Sequence, residues 1–225
     1  WDNLIQSNSD ILVHVKKSSD ILEAKKANKI GIIYGFQNSA PIANDIFLVE
    51  KFFNKGLRFM QLTYNNQTPL AGGCYEKHDS GVSRFGEMVI EEMNRLGMIV
   101  DLSHAGKQTC LDAINFSKKP VAISHANPSS FHQSIRNIDD EVLKQLANKN
   151  GFIGLSLYPY HLKNHGDCKL EDFSEMIKQL VNMIGEDSIG IGSDLCINWP
   201  DSVVMWMRNG KWTKKIDYGE SKDKN

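Results

Sequence analysis

This chain of 225 residues lacks the signatures of several large protein classes. No apolar run approaches the roughly 20 residues that a membrane-spanning helix needs, and no signal peptide is visible. Its four cysteines are widely spaced and form no CxxC pair, which argues against a zinc knuckle and against a thioredoxin-type redox motif. They are Cys74, Cys110, Cys168 and Cys196.

The chain also lacks an excess of either charge. Lysine and arginine number 26 against 27 acidic residues, for a formal net charge of −1. Because the chain has no basic block and no clustered arginine stripe, we expect no nucleic-acid partner. No GxGxxG or Walker motif follows any apolar run, which removes the commonest reason to predict a nucleotide-binding sheet.

What the chain does contain is a series of short apolar runs, rich in Ile, Val, Leu and Phe. Most of them show no alternation of polar and apolar residues, which is typical of parallel strands buried on both faces. Six such strands are predicted, at 30–36, 57–63, 98–102, 121–124, 152–157 and 189–192.

Helical patterns separate the predicted strands, beginning with a helix at Ser19–Ala27. One later helix has Asp139 as a predicted cap, with Ile138 and Leu143 placed as a hydrophobic staple. Alternating strands and helices predict a parallel α/β fold. We favour a (β/α)₈ TIM-type barrel present as about six βα units, and a six-stranded doubly wound sheet is the alternative.

Two of the predicted strands end in the same dipeptide, Ser103-His104 and Ser124-His125. Active sites of parallel α/β folds lie at the carboxyl ends of the strands. Neighbouring strands are about 4.8 Å apart, so two imidazoles at matching ends can converge on one metal ion. We favour a metal site over the alternative of two ordinary hydrogen-bonded strand-end histidines.

Other polar residues follow the strands at the same rim. Asp194 is either a helix cap or, beside two histidines, a general acid/base. Arg136, followed by Asn137, could hold a substrate carboxylate or form a surface salt bridge. Tyr64 is either a hydrogen-bond donor to substrate or a rim aromatic. The histidines without strand-end placement are expected to be exposed or structural: His14, His78, His132, His161 and His165.

At these residues the chain resembles the renal (membrane) dipeptidase family, peptidase family M19. The similar stretches are "GLRFMQLTYNNQTPLA", "GEMVIEEMNRLGMIVDLSHAG", "PVAISHANPSS", "SIRNIDDEVL" and "IGIGSD". Their order and spacing agree from about Lys29 to Asp194. The series is specific, whereas any single member of it would be a weak signal.

The resemblance implies a (β/α)₈ barrel with a binuclear zinc site that hydrolyses dipeptides. By that resemblance His104 and His125 bind one zinc together, and Asp194 takes the acid/base role. Arg136, with Asn137 beside it, holds the carboxylate of the substrate. Tyr64 occupies a position where some members carry a substrate-contacting histidine.

Two departures from the family pattern stand out. The His-x-Asp pair that the family carries on its first strand does not occur before Lys29. We therefore expect residues 1–225 to be one metallohydrolase barrel domain that is truncated at both ends. The second departure is Gln37, where the family usually has a metal-bridging Glu. An amide offers one neutral carbonyl oxygen in place of two anionic ones, so we expect one or two zinc ions.

The sequence thus predicts a zinc-dependent hydrolase whose partner is a small peptide with a free carboxylate. The alternatives are a mononuclear hydrolase or tailoring enzyme of a secondary-metabolite pathway, and a non-catalytic relative that binds a peptide or small molecule. Gln37 is the residue that keeps both alternatives open. The sequence leaves a homodimer open and decides nothing between a cytoplasmic and a periplasmic location.

Overall fold

The computed structural model describes residues 1–195, which form seven α-helices and eight short β-strands. The strands are β1 (Leu12–His14), β2 (Ile30–Ile32), β3 (Tyr34–Phe36), β4 (Leu57–Gln61), β5 (Ile99–Asp101), β6 (Ala122–Ala126), β7 (Phe152–Leu155) and β8 (Ile189–Ile191). The helices are α1 (Asp2–Ser7), α2 (Ser18–Lys26), α3 (Phe47–Asn54), α4 (Arg84–Leu96), α5 (Lys107–Phe116), α6 (Asp140–Asn148) and α7 (Leu170–Ile184).

Strands β3 to β8 form one sheet in which every neighbouring pair is parallel and spatial order follows chain order. A doubly wound sheet reverses its strand order at a switch point, and this sheet does not. Helices α3 to α7 also contact one another in chain order. The fold is therefore of the (β/α) barrel type, as predicted, and the doubly wound alternative is wrong.

The core lies at the middle strands, where Val100, Ile123 and Ile153 are almost completely buried. Burial falls off at the two edges, where Ile33, just before β3, and Ile191, in β8, are 41% and 65% exposed. Within residues 1–195 the sheet does not close on itself, because β3 and β8 each have one neighbour in it.

Capping residues set the helix ends that position the loops. Asp139 caps α6 by accepting a hydrogen bond from the Glu141 backbone N–H, and its flanking residues Ile138 and Leu143 are buried, as the staple pattern predicts. Gly97 ends α4 in the left-handed conformation at φ +77°, which glycine adopts without steric cost.

The amino-terminal region differs from the prediction. Strand β1 was not predicted, and it pairs in parallel with β2 in a separate two-stranded sheet. The apolar run at this strand, Ile11–Val13, has only three residues, fewer than any run that predicted a strand. The predicted strand at 30–36 is divided at Ile33 into β2 and β3.

No helix in the described part of the chain is long and apolar enough to cross a membrane. Cys74, Cys110 and Cys168 are free thiols. Cys196 and the remainder of the predicted domain, up to residue 225, lie outside the described residues.

Candidate active site

The two strand-end histidines meet at the carboxyl ends of adjacent strands. Asp101 of β5 pairs with Ala122 of β6, which places the strands side by side. His125 lies within β6, whereas His104 follows β5 by three residues and has φ +67°. Both side chains are buried, and their Nε2 atoms are 2.9 Å apart.

The other ring nitrogen of each histidine has a defined partner. Nδ1 of His104 lies 2.7 Å from Oδ1 of Asn65, and the ring stacks on Tyr64 with centroids 4.0 Å apart. Nδ1 of His125 lies 2.8 Å from the Ser124 hydroxyl oxygen. Because an amide oxygen only accepts hydrogen bonds, Nδ1 of His104 carries the hydrogen and its Nε2 presents a lone pair to His125.

Burial keeps both rings neutral. It lowers the pKa of His104 well below the ordinary value, and the nearby charge of Arg136 lowers it further. Burial also lowers the pKa of His125, although Asp194 and Asp101 act in the opposite direction. Neutral imidazole is the form that binds metal ions, so both rings are in the required state at neutral pH.

Asp194 lies just after β8, in the left-handed conformation at φ +54°. Its Oδ1 is 3.9 Å from Nε2 of His125, which brings a carboxylate to the same point as the imidazoles. Burial raises the pKa of Asp194, whereas His125 and Arg136 oppose that shift. The three predicted residues at the carboxyl ends of β5, β6 and β8 therefore form one group.

Arg136 is almost completely buried beside this group. Its Nη2 donates a long hydrogen bond of 3.4 Å to the His125 carbonyl oxygen, and its Nη1 has no partner among the described residues. A buried guanidinium N–H without a partner is costly, so the position is suited to an anionic ligand.

Asn137 holds the loop that carries Arg136. Its Oδ1 accepts from the Asn127 backbone N–H, and its Nδ2 donates to the carbonyl oxygens of His132 and His161. In this structure the Asn137 amide thus binds backbone groups of the neighbouring loops.

Gln37 follows β3 directly, and its side chain is exposed. A different glutamine is buried in the interior: Gln61, the last residue of β4, donates from Nε2 to Oδ2 of Asp101 at 3.1 Å. Its Oε1 has no partner in the described part of the chain. The predicted strand 57–63 contained Gln61, but a single polar residue inside an apolar run gave no indication of its contact.

His161 is a second residue that sequence reasoning missed. It is 2% exposed, lies in a short 3₁₀ turn after β7, and places Nδ1 2.8 Å from the Ser156 hydroxyl oxygen. It was expected to be exposed or structural because it lies beyond the end of the predicted strand at 152–157. Its burial and its influence on the pKa of His104 place it near the two histidines.

The family model for membrane dipeptidases, peptidase family M19, matches residues 1–201. This chain belongs to peptidase family M19.

Individual relatives agree with that membership. An uncharacterised dipeptidase from Schizosaccharomyces pombe is 31% identical over 197 residues, which cover 83% of this chain and 46% of the relative. The M19 chain thus spans about half the length of the curated relative that it matches. The crystal structure of an amidohydrolase from Pseudomonas aeruginosa is 38% identical with a TM-score of 0.90, covering 97% of this chain and 68% of that one.

A more distant structure shares the fold. The metallo peptidase from Rhodobacter sphaeroides, liganded with a phosphinate mimic of the dipeptide L-Ala-D-Ala, is 22% identical with a TM-score of 0.77. The match covers 82% of this M19 chain and 55% of that one. Together the comparisons show membership of the dipeptidase family and a shared fold.

The donor atoms of this M19 site fit a metal ion. Two nitrogens on one tetrahedral zinc ion would be roughly 3.3 Å apart, and the Nε2 atoms are within a few tenths of an ångström of that separation. Neutral imidazole nitrogens with a nearby carboxylate are donors that zinc prefers. Residues 1–195 hold no cluster of three or more His, Cys, Asp or Glu arranged for a metal, so the pair supplies part of a ligand set.

Proposed function

We propose that this chain carries the core of a zinc-dependent hydrolase that cleaves a dipeptide, or a related small amide, with a free carboxylate. The observation that carries the proposal is the convergence of two neutral imidazole Nε2 atoms, 2.9 Å apart, beside a buried arginine whose Nη1 has no partner within residues 1–195. Membership of the M19 family supports the same reaction class. We also propose that residues 1–225 belong to one metallohydrolase domain.

His104 and His125 would hold zinc through their Nε2 atoms. A bound zinc ion polarises the scissile carbonyl and lowers the pKa of water at the site. The Asp194 carboxylate lies 3.9 Å from Nε2 of His125. It would take a proton from the attacking water and give it to the leaving amine.

Arg136 would bind the carboxylate of the substrate through Nη1. The guanidinium is buried and held by the loop that Asn137 fixes, so its orientation is set before the substrate arrives. Tyr64 would line the same site, with its ring held flat against His104.

Gln37 bears on the number of zinc ions. Zinc per chain in the protein, measured by elemental mass spectrometry after metal-free dialysis, tests that number. About two zinc ions would show that a neutral amide at this position permits a binuclear centre. About one would favour the mononuclear hydrolase, and none would favour a non-catalytic binding protein.

The proton-transfer role is tested by Asp194→Asn. The amide cannot exchange a proton at neutral pH, so kcat should fall about 10²–10⁴-fold while zinc content stays at the wild-type value. Loss of zinc from this variant would instead make Asp194 a metal ligand and would overturn the assigned role.

The carboxylate-binding role is tested by Arg136→Ala, with dipeptides that have a free or an amidated carboxyl terminus. Loss of a charge-assisted hydrogen bond should raise KM for the free acid about tenfold or more and leave the amide nearly unchanged. Arg95→Ala is the matched control, because Arg95 lies exposed in ion pairs with Glu50 and Glu92. An equal loss on both substrates would contradict the carboxylate contact.

A further inference from the structure

One buried carboxylate joins three strands beside the two histidines. Asp101, at the end of β5, accepts hydrogen bonds at Oδ1 from the backbone N–H groups of Ser103 and Ser124, both at 3.0 Å. Its Oδ2 accepts from the Ser124 hydroxyl at 2.5 Å and from Gln61 at 3.1 Å. Asp101 is 4% exposed, so these contacts are shielded from water.

The Asp101 carboxylate decides the direction of the Ser124 hydroxyl. A serine hydroxyl has one hydrogen, and a carboxylate only accepts, so Ser124 donates that hydrogen to Oδ2. Ser124 must therefore accept from its other partner, Nδ1 of His125, at 2.8 Å. The hydrogen of the neutral imidazole then lies on Nδ1. Nε2 turns its lone pair toward the lone pair on Nε2 of His104, 2.9 Å away, an arrangement that holds no hydrogen and that a cation between the two nitrogens stabilises.

Ser103 completes the arrangement. Its hydroxyl oxygen accepts the His125 backbone N–H at 3.0 Å and lies 3.2 Å from the Ser124 hydroxyl oxygen. Since the Ser124 hydrogen is committed to Asp101, the Ser103 hydroxyl donates to Ser124. Ser103 thus holds the backbone N–H of His125, and Ser124 holds its ring.

We propose that Asp101 and Ser124 are positioning residues that fix His125 in the Nδ1–H tautomer, so that its Nε2 faces His104 ready to bind a metal ion. The metal-binding role given to this tautomer rests on the proposed function, in which His125 is a zinc ligand. Other partners of metal-binding histidines act in the same way, although here the carboxylate acts through a serine.

Asp101→Asn reverses the direction of these hydrogen bonds with little change in shape. The amide oxygen can keep the two backbone N–H groups, which leaves the amide NH₂ facing the Ser124 hydroxyl oxygen. Ser124 then accepts from the amide and donates to Nδ1 of His125, so the ring hydrogen moves to Nε2. Gln61 can accommodate the change by turning its amide, since its Oε1 has no partner within residues 1–195.

The test is the histidine tautomer in the metal-free protein, measured by long-range ¹⁵N–¹H correlation spectra at a pH where the ring is neutral. We expect Nδ1–H for His125 in the wild type and a shift to Nε2–H in Asp101→Asn. Zinc affinity, measured by competition titration, should fall about 10–100-fold. Asp20→Asn is the matched control, because Asp20 likewise accepts two backbone N–H groups, those of Lys16 and Lys17, in the amino-terminal region.

A second pair of variants decides the question if Asp101→Asn does not fold. Ser124→Ala removes the acceptor and should leave His125 as a mixture of tautomers, whereas Ser124→Thr keeps the hydroxyl and should restore Nδ1–H. An unchanged tautomer in both Asp101→Asn and Ser124→Ala, or in Ser124→Ala alone if the first variant is unfolded, would overturn the proposal. Because the tautomer is read without metal, a wild type that binds no zinc would refute the proposed function separately.

Discussion

The two histidines follow the same residue, serine, yet the molecule holds them in different ways. His125 lies inside β6, and its ring partner Ser124 is the adjacent residue of the same strand. His104 lies beyond β5 in a left-handed conformation, and its ring partner Asn65 comes from the loop after β4. One histidine is therefore fixed by the sheet, and the other by contact between two loops.

The loop after β4 holds His104 through its backbone as well. The Cys74 N–H donates to the His104 carbonyl oxygen at 2.9 Å, and Gly73 forms an isolated bridge with Ala105. Tyr75 in turn binds back to the Asn65 carbonyl oxygen. Changes in this loop should therefore disturb His104 alone, whereas changes in the sheet should disturb His125.

Removing either imidazole ring should have the largest effect on zinc binding, and the effect should be the same for both histidines. His104→Ala leaves one imidazole at the point of convergence, so zinc content should fall to near zero and dipeptide hydrolysis should disappear with it. His125→Ala should do the same. The measurement is zinc per chain with activity on the same samples, and full zinc content in either variant would contradict the ligand pair.

Two glycine substitutions should each disturb only one of the two histidines. In Gly73→Ala the added Cβ would lie 2.1 Å from the Asn65 carbonyl group, and in Gly154→Ala it would lie 2.1 Å from the Ser124 carbonyl oxygen. Both contacts are with backbone, so each variant should lose about 1–3 kcal/mol of unfolding free energy. The histidine spectra of the metal-free protein should change at His104 in the first variant and at His125 in the second.

Gly190→Ala is the control for both, since the nearest atom to its added Cβ is 4.0 Å away. It should leave the histidine spectra unchanged. If Gly73→Ala disturbed the two rings equally, the loop after β4 would not control His104 independently of His125.

The fold was largely predictable because the middle strands of the sheet are buried on both faces. Each of the six predicted apolar runs overlaps a strand of the main sheet, since apolar runs of this kind are typical of parallel strands covered by helices. Strand β1 escaped because its apolar run, Ile11–Val13, is only three residues long. The apolar runs do not say which strands are neighbours in space. The strand pairing seen in the structure was needed to exclude the doubly wound sheet.

The site was predictable where a residue stands at a strand end, and not where it acts across the fold. The Ser-His pairs and Asp194 follow apolar runs directly, and the structure brings them together. Asn65 reaches His104 across 39 positions of the chain, a contact that no local spacing encodes. Asp101 did carry a signal, as a charged residue within the apolar run 98–102, and that signal went unused.

Asn65→Gly should have a smaller effect and act on the His104 ring alone. Glycine accepts the φ of +63° found at Asn65, so the variant removes the acceptor for His104 without backbone strain. Zinc affinity should fall about tenfold or somewhat more, and the His104 tautomer should become mixed while that of His125 stays Nδ1–H. Asn65→Asp, which keeps an acceptor and tolerates the same φ, should preserve the His104 tautomer. A tautomer change at His125 would count against independent control of the two rings.

The smallest effect is expected at Tyr64, whose ring stacks on His104 and has no counterpart stacked on His125 within the described residues. Such a stack contributes about 0.5–1.5 kcal/mol, so Tyr64→Leu should weaken zinc binding by roughly twofold to tenfold. Tyr64→Phe keeps the ring and removes the hydroxyl, so it should bind zinc as the wild type does. If Tyr64→Phe nevertheless raises KM for dipeptides, the hydroxyl contacts the substrate; if KM is unchanged, the role of Tyr64 is to support the loop-held histidine.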